Sequence, residues 1–343
     1  EVQSTQEIPE HVVKGLRELG LFGMTVPEEY GGLGLSAFEE TSLVTEICYA
    51  QPAFRSFFGT TNGVGTLGII NFGIEDQKRK YLTRIASGEM MASFALTEPD
   101  SGSDAASLQT KAVRDGDEWV INGTKRFITN AIHADVFTVF ARTGAKDLGA
   151  NGISAFLIER NTPGLSVSRP YEKMGFAGSH ESDVIFEDVR VPASAMLGPE
   201  GTGFKNAMKS LDHARLHMAS VASGLCQRLI DEGLRYATER KQFGQPIARF
   251  QLIQAMLADS QAEALAARAM IERSAKEMDS GKKITKEAAC CKYFATEAAG
   301  RIADRMLQIH GGNGYIKEYP IERLYSDVRL LRIYEGTSQI LQL

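Results

Sequence analysis

The sequence predicts an α+β protein with an N-terminal α-helical domain over residues 1–92, a middle antiparallel β-domain over residues 93–199 and a C-terminal helical bundle over residues 200–343. Two observations lead to this fold class. Short segments rich in Val, Ile and Phe, separated by turn residues, are concentrated in the middle of the chain. Apolar residues at helical spacing fill the regions on either side. Because the strands are not interleaved with helices, a parallel dinucleotide-binding sheet is not expected.

The N-terminal helices are predicted from periodicity and from their end signals. "PEHVVKGLRELGLFG" has apolar residues at helical spacing, and Gly20 and Gly23 close it. "VPEEYGGLG" is predicted to be a loop. Ser36 is a candidate N-cap with Glu39 three residues later, which is a capping-box pattern for the next helix. "GIEDQKRKYLTRIASG" is a further amphipathic helix that ends at a glycine.

The middle strands and the C-terminal helices differ in residue composition and in segment length. "DEWVING", "KRFITNA" and "DVFTVFAR" are typical of strands in a sheet. The segments 203–240, 249–280 and 284–309 are long, Ala-rich and free of internal proline, which favours a helical bundle.

Composition excludes several classes of protein. The chain is 43% hydrophobic and 24% charged, and its net charge of −5 gives no general attraction to nucleic acid. No apolar run approaches the length of a membrane span, and the polar start does not resemble a secretory signal. We expect the four cysteines to be reduced thiols in a cytoplasmic protein, or in a mitochondrial matrix protein if the source is eukaryotic.

Two segments near the first strands are candidates for cofactor binding. "FALTEPDSGSDAAS", residues 94–107, is either a surface turn or a loop whose hydroxyl and N–H donors surround a phosphate or a heteroaromatic edge. "KRFITNA" places Phe127 and Thr129 two residues apart on one strand face. They are either a packing pair or one wall of a site for a flat cofactor.

Two helix ends offer similar alternatives. Arg240 in "ERKQFGQPI" either complements a helix dipole or holds a phosphate, and Phe243 begins the turn that follows. The glycines of "QIHGGNGY" either end a helix or let the backbone approach a ligand. His213 and His217 have i, i+4 spacing, but no third ligand is evident, so no metal site is predicted.

In this order, the motifs resemble those of the flavin-dependent acyl-CoA dehydrogenases. The matching text is "LTEPDSGSD", "KRFITNA", "FEDVRVP", "ERKQFG", "QIHGGNGY" and "RIYEGTSQI", and the resemblance runs from about residue 8 to the end. It implies an N-terminal helical domain, a middle β-domain and a C-terminal four-helix domain. The family usually has another helix before "PEHVVKGL" and a longer final helix after "SQIL", and this sequence departs from the family pattern at both ends.

The resemblance implies FAD as cofactor. Its binding residues would be Phe94, Thr97, Ser103, Phe127, Thr129, Arg240, Phe243, Gln251, Gln308, Gly312, Thr337 and Gln339. Several of these would act from a neighbouring subunit, since family members are commonly homotetramers.

The resemblance also implies the reaction, which is α,β-desaturation of an acyl-CoA thioester. Glu335 matches the base that removes the α-proton while a hydride leaves for flavin N5. Donors at the thioester oxygen stabilise the enolate that forms. Read without the family, Glu335 could serve as a charge at a helix N-terminus. A subset of the family carries its base in the segment written here "LDHARLH", where this chain has Ala214.

The substrate contacts follow in the same way. Tyr334 would form an aromatic wall, and Gly336 would let the thioester approach closely. The remaining implied contacts to the acyl group and CoA are Ser103, Leu211, Asp212 and Arg215.

"AFRSFFGTTN", residues 53–62, suggests the kind of acyl group. The segment resembles that of glutaryl-CoA dehydrogenase, in which an Arg-Ser pair meets the distal carboxylate, and Arg55 and Ser56 stand there in this chain. A guanidinium can hold a carboxylate or sulfinate through two parallel hydrogen bonds. The alternative is an arginine in a structural salt bridge. Candidate substrates are glutaryl-, succinyl-type and aryl-substituted succinyl-CoA, and 3-sulfinopropanoyl-CoA if the protein is a desulfinase.

The sequence is also compatible with other functions. The chain could be a plain short- or medium-chain acyl-CoA dehydrogenase, or a non-catalytic scaffold that binds flavin or acyl-CoA. Electrons could pass to an electron-transfer flavoprotein, or to oxygen if the protein is an oxidase.

Overall fold

The computed structural model describes residues 2–343. The helices are α1 Val2–Thr5, α2 Glu10–Glu18, α3 Ala37–Ala50, α4 Pro52–Asn62, α5 Val64–Phe72, α6 Glu75–Ala86, α7 Gly203–Glu239, α8 Gln251–Asp279, α9 Thr285–His310, α10 Pro320–Leu330 and α11 Ser338–Leu341. The strands are β1 Ala92–Ala95, β2 Lys111–Asp115, β3 Glu118–Thr129, β4 Val136–Arg142, β5 Ile153–Glu159, β6 Leu165–Val167, β7 Glu181–Pro192, β8 Lys241–Gln242 and β9 Gln245–Pro246. The sequence predicts this order of helices, then strands, then long helices, and the predicted fold class is confirmed.

Seven strands form one sheet in the order β1-β4-β2-β3-β7-β6, with β5 paired to β4. The β2–β3, β3–β7, β6–β7 and β4–β5 pairings are antiparallel, as expected. Strand β4 is the exception, because it runs parallel to β1 and meets β2 in parallel at one pair of residues. β8 and β9 form a separate hairpin.

The chain divides into two compact units. The sheet unit runs up to Leu35 and then comprises Ser56–Glu172 and Ala177–Leu211. The bundle unit comprises Ser36–Arg55, Lys173–Phe176 and Asp212–Leu343. The division into three domains at residues 92 and 199 stays a prediction.

In the sheet unit, strands β4 and β5 are buried on both faces. Alternate residues of β5 belong to two different cores, with Ala155 and Leu157 in one and Phe156 and Ile158 in the other. The first core also contains Leu82 and other side chains of α5 and α6. This double burial explains why "NGISAFLIE" reads as an apolar run and not as an alternating strand.

In the bundle unit, small residues let the helices pack closely. A Cβ added at Gly224 of α7 would lie 2.2 Å from the carbonyl oxygen of Thr45 on α3, so only glycine fits there. Helix α3 begins with the predicted capping box, in which Ser36 accepts from the N–H of Glu39 and the Glu39 carboxylate accepts from the N–H of Ser36. Within residues 2–343, no helix combines the length and apolar character needed to cross a bilayer.

Candidate active site

In the sheet unit, a buried ion pair shapes the loop that follows β1. Glu98 accepts hydrogen bonds from Lys125 Nζ at 2.8 Å and from the backbone N–H groups of Gln109 and Thr110 at 2.5 and 2.9 Å. Lys125 also donates to the Leu96 carbonyl at 3.1 Å. Burial acts to raise the pKa of Glu98, but Lys125 and the other donors outweigh it and hold that pKa below its usual range. The ion pair therefore fixes both ends of the loop against β3.

Replacing Lys125 by Met is expected to lower the free energy of unfolding by about 3–5 kcal/mol, because it leaves the Glu98 carboxylate buried without its cation. Urea denaturation followed by circular dichroism measures this. Lys14→Met is the control, since its partner Glu18 is exposed and such pairs contribute about 0–1 kcal/mol. Equal losses in the two variants would show that the buried ion pair does not hold this loop.

Phe127 lies at an irregularity in β3. The pairing with β7 shifts register between Lys125 and Ile128, and Phe127 has a φ of 57°. Because the backbone is irregular here, the common face of Phe127 and Thr129 stays a prediction. The Phe127 ring is 59% exposed and lies 5.4 Å from the Tyr171 ring, so it presents an aromatic surface to a planar ligand.

The other predicted cofactor residues of the sheet unit differ in exposure and in their contacts. Phe94 is half-buried and packs on Phe140 with ring centroids 4.8 Å apart. Ser103 is exposed, and Thr97 is half-buried with its carbonyl accepting from the N–H of Arg126. The Thr129 carbonyl accepts from Ser93 Oγ at 2.8 Å.

In the bundle unit, one set of predicted cofactor residues is exposed. Phe243, in the turn between β8 and β9, is 92% exposed and has a φ of 52°. The exposed members of the set are Arg240, Phe243, Gln251, Gln308, Gly312 and Gln339. Their side chains are accessible to a ligand or to another subunit, and their contacts to the cofactor stay predictions.

Glu335 lies between α10 and α11 in a strained backbone conformation. Its φ of 54° is in the left-handed region, which costs a non-glycine residue about 1–3 kcal/mol and is found mostly at functional sites. The residue as a whole is partly exposed, but its Oε2 atom is buried and has no hydrogen-bond partner within residues 2–343. An unpartnered carboxylate oxygen is suited to accept a proton from a ligand.

Burial raises the pKa of Glu335 to about 7. Three cationic side chains, Arg55, Lys292 and Arg215, act in the opposite direction, with a smaller contribution from His213. A carboxyl group with this pKa is part ionised near neutral pH and is a stronger base than an ordinary glutamate.

The backbone next to Glu335 is held from α9. Lys292, which is completely buried, donates to the Gly336 carbonyl at 2.6 Å, and burial lowers the pKa of Lys292 to about 8. Gly336 has a φ of 97°, which only glycine adopts readily. Thr337 is the N-cap of α11, and its hydroxyl accepts from the N–H of Ile340 at 3.3 Å. Glu335 therefore precedes the helix cap and is not itself the N-terminal charge.

Arg55 has histidine and glutamate neighbours in place of a salt-bridge partner. Its Nε lies 2.7 Å from His217 Nε2, and His217 Nδ1 lies 2.7 Å from Glu40 Oε1. The second Glu40 oxygen lies 2.5 Å from His213 Nε2. The i, i+4 histidines thus bind one buried glutamate from α3. Within residues 2–343, the two Nη nitrogens of Arg55 have no hydrogen-bond partner.

The remaining predicted substrate residues have protein partners. Asp212 accepts from Arg215 Nη1 at 3.4 Å and from Thr285 Oγ1 at 2.6 Å. In the sheet unit, the Ser56 hydroxyl lies 2.7 Å from that of Ser179. Leu211 and Tyr334 are partly buried.

Sequence reasoning missed Lys292, Glu40 and the role of His217. A signal was present, because Lys292 shares a helix face with buried Ala288 and Ala295, and Glu40 shares one with buried Ala37. A charged residue at a core position of an amphipathic helix is rare unless it is paired or functional.

Comparison with known proteins extends over the whole chain. Residues 1–89, 93–189 and 201–343 match the N-terminal, middle and C-terminal domains of acyl-CoA dehydrogenase, respectively. The chain is 45% identical to a probable acyl-CoA dehydrogenase of Bacillus subtilis (strain 168), over all of this chain and 90% of that protein. It is 40% identical to the CarC subunit of a caffeyl-CoA reductase-Etf complex of Acetobacterium woodii, over all of this chain and 90% of that subunit.

Solved structures agree with this assignment. Butyryl-CoA dehydrogenase of Megasphaera elsdenii has a TM-score of 0.95 at 36% identity, over 99% of this chain and 89% of that one. A glutaryl-CoA dehydrogenase bound to glutaryl-CoA has a TM-score of 0.92 at 36% identity, over 99% of this chain and 87% of that one. A Bacillus anthracis acyl-CoA dehydrogenase complexed with FAD has a TM-score of 0.90 at 38% identity, over 96% and 59% of the two chains.

Fold and relatives together define an FAD-dependent oxidoreductase that acts on acyl-CoA thioesters. The chain belongs to the acyl-CoA dehydrogenase family. Its residues fit the cofactor, because the exposed Phe127 ring offers a stacking surface and the guanidinium of Arg240 is accessible to a phosphate.

Proposed function

We propose that the chain dehydrogenates a short acyl-CoA whose tail ends in a carboxylate, with Glu335 as the base and Arg55 as the group that binds the tail. The observation that carries this proposal is the pairing of Glu335, which has an unpartnered Oε2, with a buried Arg55 close enough to lower the pKa of its carboxyl. One group accepts a proton, and the other accepts an anion.

Glu335 has the properties that α-proton removal requires. A thioester α-proton is weakly acidic, so the base needs a pKa near the working pH, and burial raises the pKa of Glu335 to about 7. Lys292 holds the Gly336 carbonyl and so fixes the backbone that carries the base. When FAD is bound, it supplies the acceptor for the hydride that leaves the β-carbon.

Arg55 has the properties of an anion site. It is 7% exposed, and its charge meets the carboxylates of Glu40 and Glu335 only indirectly, through His217 and through space, so a directly bonded anion would stabilise it further. A fatty tail would leave this charge without a directly bonded anion, whereas a carboxylate would accept two hydrogen bonds from it. Because Arg55 acts electrostatically on Glu335, a tail carboxylate bound to it would be separated from the α-carbon by only a few bonds, as in glutaryl-CoA.

Binding of such a tail also strengthens the base. Arg55 lowers the pKa of Glu335, and a carboxylate bound to Arg55 would offset that positive charge. The pKa of Glu335 would therefore rise when the acidic substrate is in place.

We further propose that an electron-transfer flavoprotein accepts the electrons in the cytoplasm, supported by the relative that is a subunit of a reductase-Etf complex. Assembly into a homotetramer would give the 92% exposed Phe243 a covering surface.

Anaerobic titration of the purified flavoprotein with acyl-CoAs tests the function directly. We expect glutaryl-CoA to bleach the flavin absorbance at lower concentration than butyryl-CoA does. Equal bleaching by the two substrates would contradict the preference for an acidic tail and would indicate a plain short-chain acyl-CoA dehydrogenase. Sulfite release from 3-sulfinopropanoyl-CoA without bleaching would indicate a desulfinase, and no response to any acyl-CoA would indicate a non-catalytic scaffold.

A further inference from the structure

The surroundings of Arg55 fix how its guanidinium is oriented. Three side chains of the bundle unit form a continuous row in the order Glu40, His217 and Arg55, and each contact along it is 2.7 Å. The exposed fractions are 1% for Glu40, 2% for His217 and 7% for Arg55. Buried hydrogen bonds of this length hold their members in one arrangement.

The chemistry of the row determines the state of His217. Arginine Nε–H can only donate, so His217 Nε2 must be an acceptor without a proton. The ring proton is then on Nδ1, which donates to the Glu40 carboxylate. Burial is the largest cause that lowers the pKa of His217 to about 4, and the positive charge of Arg55 is the next, in agreement with a neutral ring.

His213 occupies a different place in the same cluster. Its Nε2 lies 2.5 Å from the other oxygen of Glu40, and within residues 2–343 it forms no hydrogen bond with Arg55. Burial opposes its ionisation, yet Glu40 raises the pKa of His213. His213 thus bonds one oxygen of Glu40, and His217 connects the other oxygen to the arginine.

We infer that His217 is a positioning residue that sets the specificity of this enzyme for an acidic acyl tail. A guanidinium offers a carboxylate two bidentate edges, one of which includes Nε. His217 occupies that edge, so the tail carboxylate is bound end-on by Nη1 and Nη2. Glu40 acts through His217 by fixing its tautomer and ring orientation, as carboxylates do for ligating histidines in other sites.

This inference rests on the proposed function, since it requires that Arg55 binds the tail. Two substitutions of nearly equal polarity distinguish a role of His217 in orienting Arg55 from a general role in the stability of the fold. In His217→Asn, the shorter amide can reach Glu40 but cannot reach Arg55. In His217→Gln, the amide extends to the position of Nε2 and offers an acceptor to Arg55.

The measurement is the dissociation constant of glutaryl-CoA and of butyryl-CoA by calorimetry, in a Glu335→Gln background that binds substrate without turnover. We expect His217→Asn to weaken glutaryl-CoA binding about tenfold, a usual size for coupling between contacting residues. Butyryl-CoA binding should change less than about twofold, and His217→Gln should restore most of the loss. His310→Gln is the matched control, since His310 is a buried histidine of the bundle unit that bonds the Met306 carbonyl, and it should keep the ratio of the two constants.

The inference is overturned if His217→Asn and His217→Gln lose glutaryl-CoA binding equally, or if neither loses it. It is also overturned if His310→Gln changes the ratio as much as His217→Asn does. Arg55→Met in the same background separates this failure from failure of the proposed function. If Arg55→Met leaves the ratio unchanged, the acidic-tail proposal itself is wrong.

Discussion

Replacing Glu335 by Gln is expected to slow flavin reduction by acyl-CoA about 10²- to 10⁴-fold, the usual contribution of a positioned general base. Gln keeps the size of the side chain and removes the atom that accepts the proton. FAD and acyl-CoA should still bind, because Lys292 bonds the Gly336 carbonyl and not the Glu335 carboxylate. Stopped-flow absorbance under anaerobic conditions measures the rate.

The pH dependence follows from the raised pKa of Glu335. The base acts when it is ionised, so the rate should rise with pH through about 7 and level off above it. For stability the sign is the opposite. A carboxyl group whose pKa is higher in the folded state than in the unfolded state binds more protons when folded, so it lowers stability as pH rises from about 4.5 to about 7. Glu335→Gln should therefore lose this pH dependence along with most of its rate and, above pH 7, be at least as stable as the wild type.

Glu318→Gln is the control for a change of carboxylate to amide, since Glu318 is exposed and lies outside the described site. It should leave both the rate and its pH profile unchanged. A Glu335→Gln variant with wild-type rates would show that another group removes the α-proton.

Replacing Arg55 by Met is expected to remove the preference for an acidic tail. Hydrogen bonds to a charged group contribute about 1.5–3 kcal/mol, so kcat/KM for glutaryl-CoA should fall about 10- to 100-fold. The value for butyryl-CoA should stay the same or improve, because Met removes a buried charge that this tail cannot pair. Steady-state kinetics with the two substrates measures the ratio.

The same variant should change the pH profile. Arg55 lowers the pKa of Glu335, so its removal should move the pH at which butyryl-CoA turnover is half-maximal upward. Arg228→Met is the control, because Arg228 is a partly buried arginine of α7 that pairs with Glu232. If Arg55→Met lowered kcat/KM equally for glutaryl-CoA and butyryl-CoA, Arg55 would have a structural role.

Much of the fold could be predicted because it depends on local patterns. The capping box at Ser36 and Glu39 is written in four residues, and the structure forms it as predicted. The long Ala-rich helices follow from periodicity, and the apolar run of β5 follows from burial on both faces. The irregularity at Phe127 could not be predicted, since a register shift depends on how β3 and β7 pair over their whole length.

For the candidate site as well, some residues could be predicted from the sequence and others could not. Glu335 and Arg55 could be named as candidate base and candidate anion site from short motifs, because these roles need particular residue types at particular places. Their partners could not be named. His217 and His213 have the spacing of metal ligands, and only the arrival of Glu40 from α3, more than 170 residues earlier in the chain, shows that both bind a carboxylate.

The sequence by itself determined the order of helices and strands and the family motifs, and it named Glu335 as the candidate base, because each is specified by residues close together in the chain. Only the tertiary structure decided the pKa of that base, the neutral state of His217 and the orientation of Arg55. These three properties depend on burial and on charges brought together from distant segments, and no local pattern encodes the distance between two such groups.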